Sequence, residues 1–294
     1  MVVVAGASGQ TGSRTASMLL KRGEKVRAIA RSAEKLIMLR NQGAEIKTGD
    51  LGDVDFLTNA LNDADAAYLL IPPKPDSSNI RKYYTDMGQA AFDAVFRSGI
   101  KKIVFLSSLG AERHSDTGIV LGLHDVETMF QRLTHVDIVF LRASPFMQNT
   151  LASIPIIKEQ HFNGGSIDPN VPVYMCDTRD IGDKAAELLA ERLFPGHSML
   201  DLFGDRLSFR EASHLIGMRI GMPDLPYIRF KDADAKAEYM DKGLSESVAQ
   251  AFIELAWAIS EGRLHPTVTD PSKPTMPTSF VKFIEEVFLP AYNS

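Results

Sequence analysis

The chain has 294 residues, and 32 Lys and Arg against 37 Asp and Glu leave a formal charge of −5. This mild acidity argues against a general nucleic-acid binder, which carries a basic excess; at 45% hydrophobic and 23% charged residues the composition is that of a globular chain. The single cysteine, Cys176, excludes an internal disulfide framework. No run approaches the ~18 consecutive apolar residues of a membrane span. The N-terminus carries no basic and apolar leader, so a cytoplasmic location is expected.

Through the first half, short β-branched runs alternate with helical patterns. Residues 1–5 are expected as a strand, 11–21 as a helix with Thr15, Met18 and Leu19 inward, 25–30 as a strand, 33–42 as a helix and 45–48 as a strand. A helix at 56–61 follows, then a strand at 66–71 closed by Pro72 and Pro73 and a long helix at 78–97. Next come a strand at 102–106, a helix at 123–133 and a strand at 136–141. Strands spaced by helices in this way indicate βαβ units and a parallel sheet. The near-continuous apolar run Ile103-Val104-Phe105-Leu106 fits a sheet covered on both faces. The fold class is α/β, a Rossmann-type doubly wound parallel sheet.

After about residue 144 the rhythm changes. Residues 146–158 have a helical pattern, 161–172 are rich in Gly, Asn and Pro and suggest a loop or hairpin, and 180–192 form a strong helical pattern. Residues 199–203 are a strand able to return to the first sheet. Ser208 and Glu211 have capping-box spacing, so a helix starts there. Residues 245–260 are an amphipathic helix. Pro266, Pro271, Pro274 and Pro277 then forbid regular structure until Thr278 opens the last helix.

The sharpest local feature is Gly6-Ala7-Ser8-Gly9-Gln10-Thr11-Gly12, placed after the first strand and opening the first helix. Gly6 allows the tight turn, Gly9 lets the backbone approach a pyrophosphate, and Gly12 permits close helix–strand packing. The helix N-terminus adds free N–H donors and its positive dipole end. A glycine pattern alone is weak; this strand–turn–helix context makes it specific for a dinucleotide. The second strand ends Ala28-Ile29-Ala30-Arg31-Ser32, without the acid that an NAD site presents to the ribose hydroxyls. Arg31 offers a planar guanidinium to a 2′-phosphate, with Ser32 and Lys35 as further donors, so NADP(H) is expected over NAD(H).

The GxxGxxG spacing resembles short-chain dehydrogenase/reductases of the extended and atypical kinds, and further segments are similar to their NmrA-like branch. Gly49-Asp50-Leu51-Gly52-Asp53 resembles its GDxxD segment, where the Asp sits near the adenine. Gly99-Ile100-Lys101-Lys102 leading into Val104-Phe105-Leu106-Ser107-Ser108 resembles its GVKxxVxxSS strand. Leu141-Arg142 followed by Phe146-Met147-Gln148-Asn149 is similar to LRPxxFMEN, Thr178-Arg179-Asp180-Ile181 to xxRDIA, and Pro277-Thr278-Ser279-Phe280 to PTSxxxF. The resemblance spans essentially the whole chain. Ala143-Ser144 replaces the usual Pro-Gly, and the Pro-rich stretch before Thr278 replaces a short helical segment; both bear on the shape of the substrate pocket.

Taken together, the motif and the resemblance imply a cofactor site of Gly6, Ser8, Gly9, Gln10, Thr11, Gly12, Arg31, Ser32, Lys35, Asp50, Leu51, Ile71 and Pro72. The standard Tyr-x-x-x-Lys pair is missing where it would follow Ser107-Ser108; Tyr227 and Lys231 have that spacing, but about a hundred residues further on. At the place of the catalytic helix stands His124-Asp125-Val126-Glu127-Thr128. Candidate catalytic residues are Ser107, Ser108 and His124, the last as positioner or proton donor. Phe146 and Asn149 are candidates for the substrate cleft, Phe146 being equally suited to core packing. No histidine or cysteine spacing suggests a metal.

The resulting expectation is an NADPH-dependent reductase passing hydride to a quinone-like or other conjugated small molecule. The alternative is a non-catalytic NADP(H)-binding redox sensor acting through a protein partner; the family contains both, and the fold serves both. Residues 1–150 are expected as the cofactor domain, with 175–203 returning to it, and 151–174 with 204–294 as a smaller α-rich substrate lobe. A homodimer through helices flanking the sheet is compatible with this layout. No membrane contact and no direct nucleic-acid contact are expected.

Overall fold

The structure is a computed structural model that describes residues 1–268, 270 and 272–294. β1 (Val2–Val4) leads through the glycine loop into α1 (Gln10–Lys21), and β2 (Val26–Ala30) follows. A 3-10 turn at Glu34–Leu36 and the short α2 (Ile37–Asn41) stand where one helix was expected. Then come β3 (Glu45–Thr48), α3 (Val54–Leu61), β4 (Ala66–Leu69), α4 (Ile80–Ser98), β5 (Lys102–Ser108), α5 (Leu121–Phe130) and β6 (Asp137–Ala143). Beyond lie α6 (Ile154–Gln160), β7 (Asn163–Gly165), β8 (Val173–Tyr174), α7 (Thr178–Glu191), β9 (His197–Leu202) and β10 (Arg206–Leu207). The chain ends with α8 (Phe209–Ile220), β11 (Tyr227–Arg229), α9 (Asp232–Asp241), α10 (Glu246–Ser260), α11 (Phe280–Phe283), a π-turn at Ile284–Phe288 and α12 (Leu289–Asn293).

Seven strands form one parallel sheet in the order β3-β2-β1-β4-β5-β6-β9. The order reverses between β1 and β4, the switch point at which a doubly wound sheet opens a crevice outside the C-terminal strand ends. The central strands are buried on both faces, Val2, Val3, Val4, Ile103, Val104 and Phe105 all being inaccessible, which is why they are apolar without alternation. One face packs against α1 and α7 through Ala16, Leu19, Ile181, Ala185 and Leu189. The other packs against α3, α4 and α5 through Leu57, Ala91, Val95, Val126 and Phe130.

α1 and α7 approach closely because Gly182 faces Arg14; a Cβ there would lie 2.6 Å from the Arg14 stem and 3.0 Å from the Thr11 carbonyl oxygen. Arg14 completes the seam by pairing both oxygens of Asp183, at 2.6 and 2.8 Å. Both partners are more than a third exposed, so the pair contributes under about 1 kcal/mol and the apolar seam dominates.

A separate core holds the second half together, built on Met147, Ile157, Ile216, Phe280, Phe283 and Phe288. Here the structure refines the sequence expectations. The 146–158 segment is a 3-10 stretch at Met147–Ser153 before α6, and Pro155 sits in the first turn of α6, where its missing N–H costs nothing. Within 161–172, β7 pairs in parallel with β11, Asn163 opposite Tyr227; it forms no hairpin. The Ser208–Glu211 capping box is present. Pro266 to Pro277 carry no helix or strand at the described positions, and Pro271 lies outside them. This stretch is tied to β9 by Thr267 N–H to Asp201 Oδ2 (2.5 Å) and by the Thr275 hydroxyl to the Asp201 carbonyl (2.9 Å). It thereby blunts an edge strand that would otherwise offer unpaired backbone groups.

Candidate active site

In a parallel sheet every strand ends on the same edge, so the loops after β1 to β6 converge there. The glycine loop is the tightest of them. Gly6 has φ +62°, the left-handed region that favours glycine, and its carbonyl accepts the Gly9 N–H at 2.9 Å. A Cβ on Gly12 would overlap that same carbonyl oxygen, and one on Gly9 would come within 3.3 Å of it. Gly9 is the N-cap of α1 with no side chain filling the cap, and Ser8, Gly9 and Gln10 are exposed. The N-terminus of α1 thus has no capping side chain, and with the Gly9 N–H taken by Gly6 the first-turn N–H groups after it remain for a ligand, which fits a pyrophosphate. Thr11 is different: it is buried, and its hydroxyl accepts from Tyr68 at 2.9 Å. It anchors α1 to β4 from below.

Arg31 and Lys35 are exposed at the end of β2, and neither forms an ion pair among the described residues. Ser32 donates its hydroxyl to Glu34, a carboxylate in the same turn that sequence reasoning passed over. After β3, Asp50 folds back to accept the Gly52 N–H at 2.8 Å, while Asp53 caps α3 through the N–H groups of Asp55 and Phe56. Leu51 and Ile71 rest against the core on the α3–α4 side. Pro72 presents its carbonyl to the Tyr83 hydroxyl at 3.0 Å. Burial pushes the Tyr83 phenol up, and the neighbouring Asp50 charge adds to it while Arg31 opposes. Tyr83 therefore stands among the adenine-side candidates, a residue that sequence reasoning did not single out.

Ser107 and Ser108 end β5, in register with Arg142 and Ala143 of β6. Ser107 is buried, and its hydroxyl donates to Glu127 Oε1 at 2.5 Å. Glu127 is gripped by Arg142 through Nε at 3.1 Å and Nη2 at 2.6 Å. Arg142 Nη1 also lies 3.6 Å from Glu112 Oε2. Burial works against the Arg142 charge, but Glu127 outweighs it and the guanidinium is held above its ordinary value. Ser107 is thus part of a buried ionic cluster, and its hydroxyl hydrogen is committed there. Ser108 is half-buried and donates to the Leu109 carbonyl at 3.0 Å.

His124, half-buried on α5, bonds the Ala111 carbonyl through Nδ1 at 2.8 Å. That contact requires the proton on Nδ1 and leaves Nε2 as the free ring nitrogen. Glu112 accepts the Gly110 N–H at 3.1 Å, so the loop after β5 is tied from both sides. Phe146 packs against the α1–α7 core, and Asn149 is exposed beyond it. Tyr227 lies on β11 in the second half, its ring 5.2 Å from Phe209. Cys176 is fully buried, with its thiol pushed up by burial to about 12. Among the described residues there is no group of His, Cys, Asp and Glu able to hold a metal, and no helix long and apolar enough to cross a membrane.

Residues 1–260 match the model of the NmrA-like family. The chain belongs to that family. Its relatives include a (4-alkanoyl-5-oxo-2,5-dihydrofuran-3-yl)methyl phosphate reductase of Streptomyces griseus, 26% identical over 87% of this chain and 86% of that one. An NAD(P)H azoreductase of Xenophilus azovorans is 27% identical over the same shares. In overall shape this NmrA-like chain matches the NADPH-dependent quinone oxidoreductase of Escherichia coli, solved in complex with NADPH, with a TM-score of 0.81. That match has 24% identity and covers 98% of this chain and 100% of the other. It establishes the shared fold.

Proposed function

We propose that this NmrA-like protein is an NADPH-dependent oxidoreductase that reduces a quinone-like or otherwise conjugated small molecule. The observation that carries the reading is the uncapped N-terminus of α1 behind Gly6, Gly9 and Gly12, combined with an Arg31 at the end of β2 that forms no ion pair among the described residues. Gly9, Gln10 and Ser8 would hold the pyrophosphate, Arg31 and Lys35 the 2′-phosphate, and Asp50, Pro72 and Tyr83 the adenine side. A bound NADPH supplies a hydride. The names of the relatives, reductases of an azo compound, a furanone phosphate and a quinone, support an electron-poor conjugated acceptor.

For such an acceptor the protein needs to orient and exclude water more than to donate a proton strongly. The Glu127–Arg142 pair fixes the end of β5, so Ser108 and the backbone after it are held rigidly. His124 holds the Ala111 carbonyl through Nδ1 and keeps Nε2 free to position the acceptor or pass it a proton from water. The division of labour is a cofactor domain over 1–150 and 175–203 with a smaller lobe over 151–174 and 204–294 that roofs the cleft. The acceptor class is tested by following loss of reduced nicotinamide against quinones, azo dyes, triarylmethane dyes and enones. Turnover with at least one class, faster with NADPH than with NADH, is the expected result. Tight NADPH binding with no turnover on any of them would overturn the reductase reading in favour of a redox sensor.

A further inference from the structure

The loop after β2 is not a simple phosphate cradle. Within five residues it carries Arg31 and Lys35, both exposed and without an ion pair among the described residues, and between them the carboxylate of Glu34. Ser32 is the only hydroxyl in this turn, and it donates to Glu34. The Ser32 bond and a backbone N–H hold the Glu34 carboxyl below its ordinary value, so it carries its charge at neutral pH. A 2′-phosphate arriving between Arg31 and Lys35 therefore meets one carboxylate and a donor already in use. A ribose 2′-hydroxyl meets no such repulsion, and a carboxylate is the group that accepts from it in NAD sites.

We infer that Glu34, acting with Ser32, is the residue that sets cofactor specificity: it restrains the NADP(H) preference given by Arg31 and leaves NAD(H) usable. The inference rests on the proposed cofactor site and adds to it a switch in the partner of Ser32. With a 2′-phosphate present the Ser32 hydroxyl turns from Glu34 to the phosphate. With a 2′-hydroxyl it stays on Glu34. Glu34 is fully exposed, so its repulsion acts through water and is screened by salt.

The test uses 2′,5′-ADP and 5′-ADP as probes, titrated calorimetrically into the full chain and its E34Q, R31A and S32A variants. E34Q is expected to tighten 2′,5′-ADP roughly three- to tenfold at low ionic strength, and by less in high salt. It should leave 5′-ADP unchanged or slightly weaker. R31A should weaken 2′,5′-ADP about tenfold or more. S32A should weaken 2′,5′-ADP alone. Unchanged 2′,5′-ADP affinity in E34Q, with Arg31-dependent binding intact, overturns the role of Glu34 and leaves the cofactor site standing. Failure of the unmodified chain to bind either probe overturns the cofactor site, and this inference with it.

Discussion

Glu127 and Arg142 are charges set into apolar runs, Arg142 following Ile138-Val139-Phe140-Leu141 within β6 and Glu127 following Val126 on the buried side of α5. Such residues are affordable only when paired. Their exposures of 2% and 7% make removal of one partner expensive. Glu127→Gln should lower unfolding free energy by about 3–5 kcal/mol in urea titrations, and Glu127→Leu combined with Arg142→Met should recover much of the loss. If the single variant is no less stable than the parent, the cluster is not the anchor of β5. His124 makes a different claim. Its Nε2 is the only ring nitrogen left free by the Ala111 contact, so His124→Ala should lower kcat about a hundredfold while NADPH affinity holds. Full turnover in that variant removes His124 from the chemistry. The cluster was partly legible: a lone Arg in an apolar strand is a signal. Its partner on another element was not, because nothing in the chain's local pattern says which helix faces which strand end.

Among the elements, the βαβ succession was readable because each unit is defined by local periodicity and turn residues. β7 and β11 were not, since a three-residue pairing across some sixty residues leaves no periodic trace. The same non-local logic governs the loop after β4. α10 belongs to the second half of the chain, yet its N-cap Ser245 accepts the Val248 N–H and donates to the Ser77 carbonyl at 2.5 Å. Ser247 accepts the Ile80 N–H at 3.0 Å, and Ile80, Val248 and Ala251 form a small buried cluster between the two. The loop carrying Pro72 is therefore clamped from above by α10. Ser245→Ala should cost about 1–2 kcal/mol through the lost cap, and weaken NADPH binding at the same time. A titration that finds stability reduced but affinity unmoved would separate the clamp from the cofactor site. On the opposite side of the sheet edge, Gly12→Val should abolish cofactor binding, because its Cβ would overlap the backbone of Gly6.

For the whole molecule, carboxylates held below their ordinary values set the acid limit. Burial alone would raise Asp177, but the Arg179 guanidinium and N–H and the Gln148 amide hold it below its ordinary value. The Lys102 ammonium and the Gly196 N–H do the same for Asp137. Depressed folded values mean stability that is complete above the unfolded value and is lost as pH falls through the folded one. Asp180, raised by burial, works in the opposite sense: its share is complete in acid and lost as pH rises through its folded value. With the depressed groups more numerous, the urea midpoint should fall as pH drops from about 5 to about 3; a flat profile would refute this. The measurement that bears most directly on the account is the oxidation of NADPH by the full chain on addition of a simple para-quinone. Saturable consumption of NADPH, slower with NADH and lost in Gly12→Val, is the predicted result. A rate no greater than that of cofactor and quinone without protein, in a chain that binds NADPH, would contradict it.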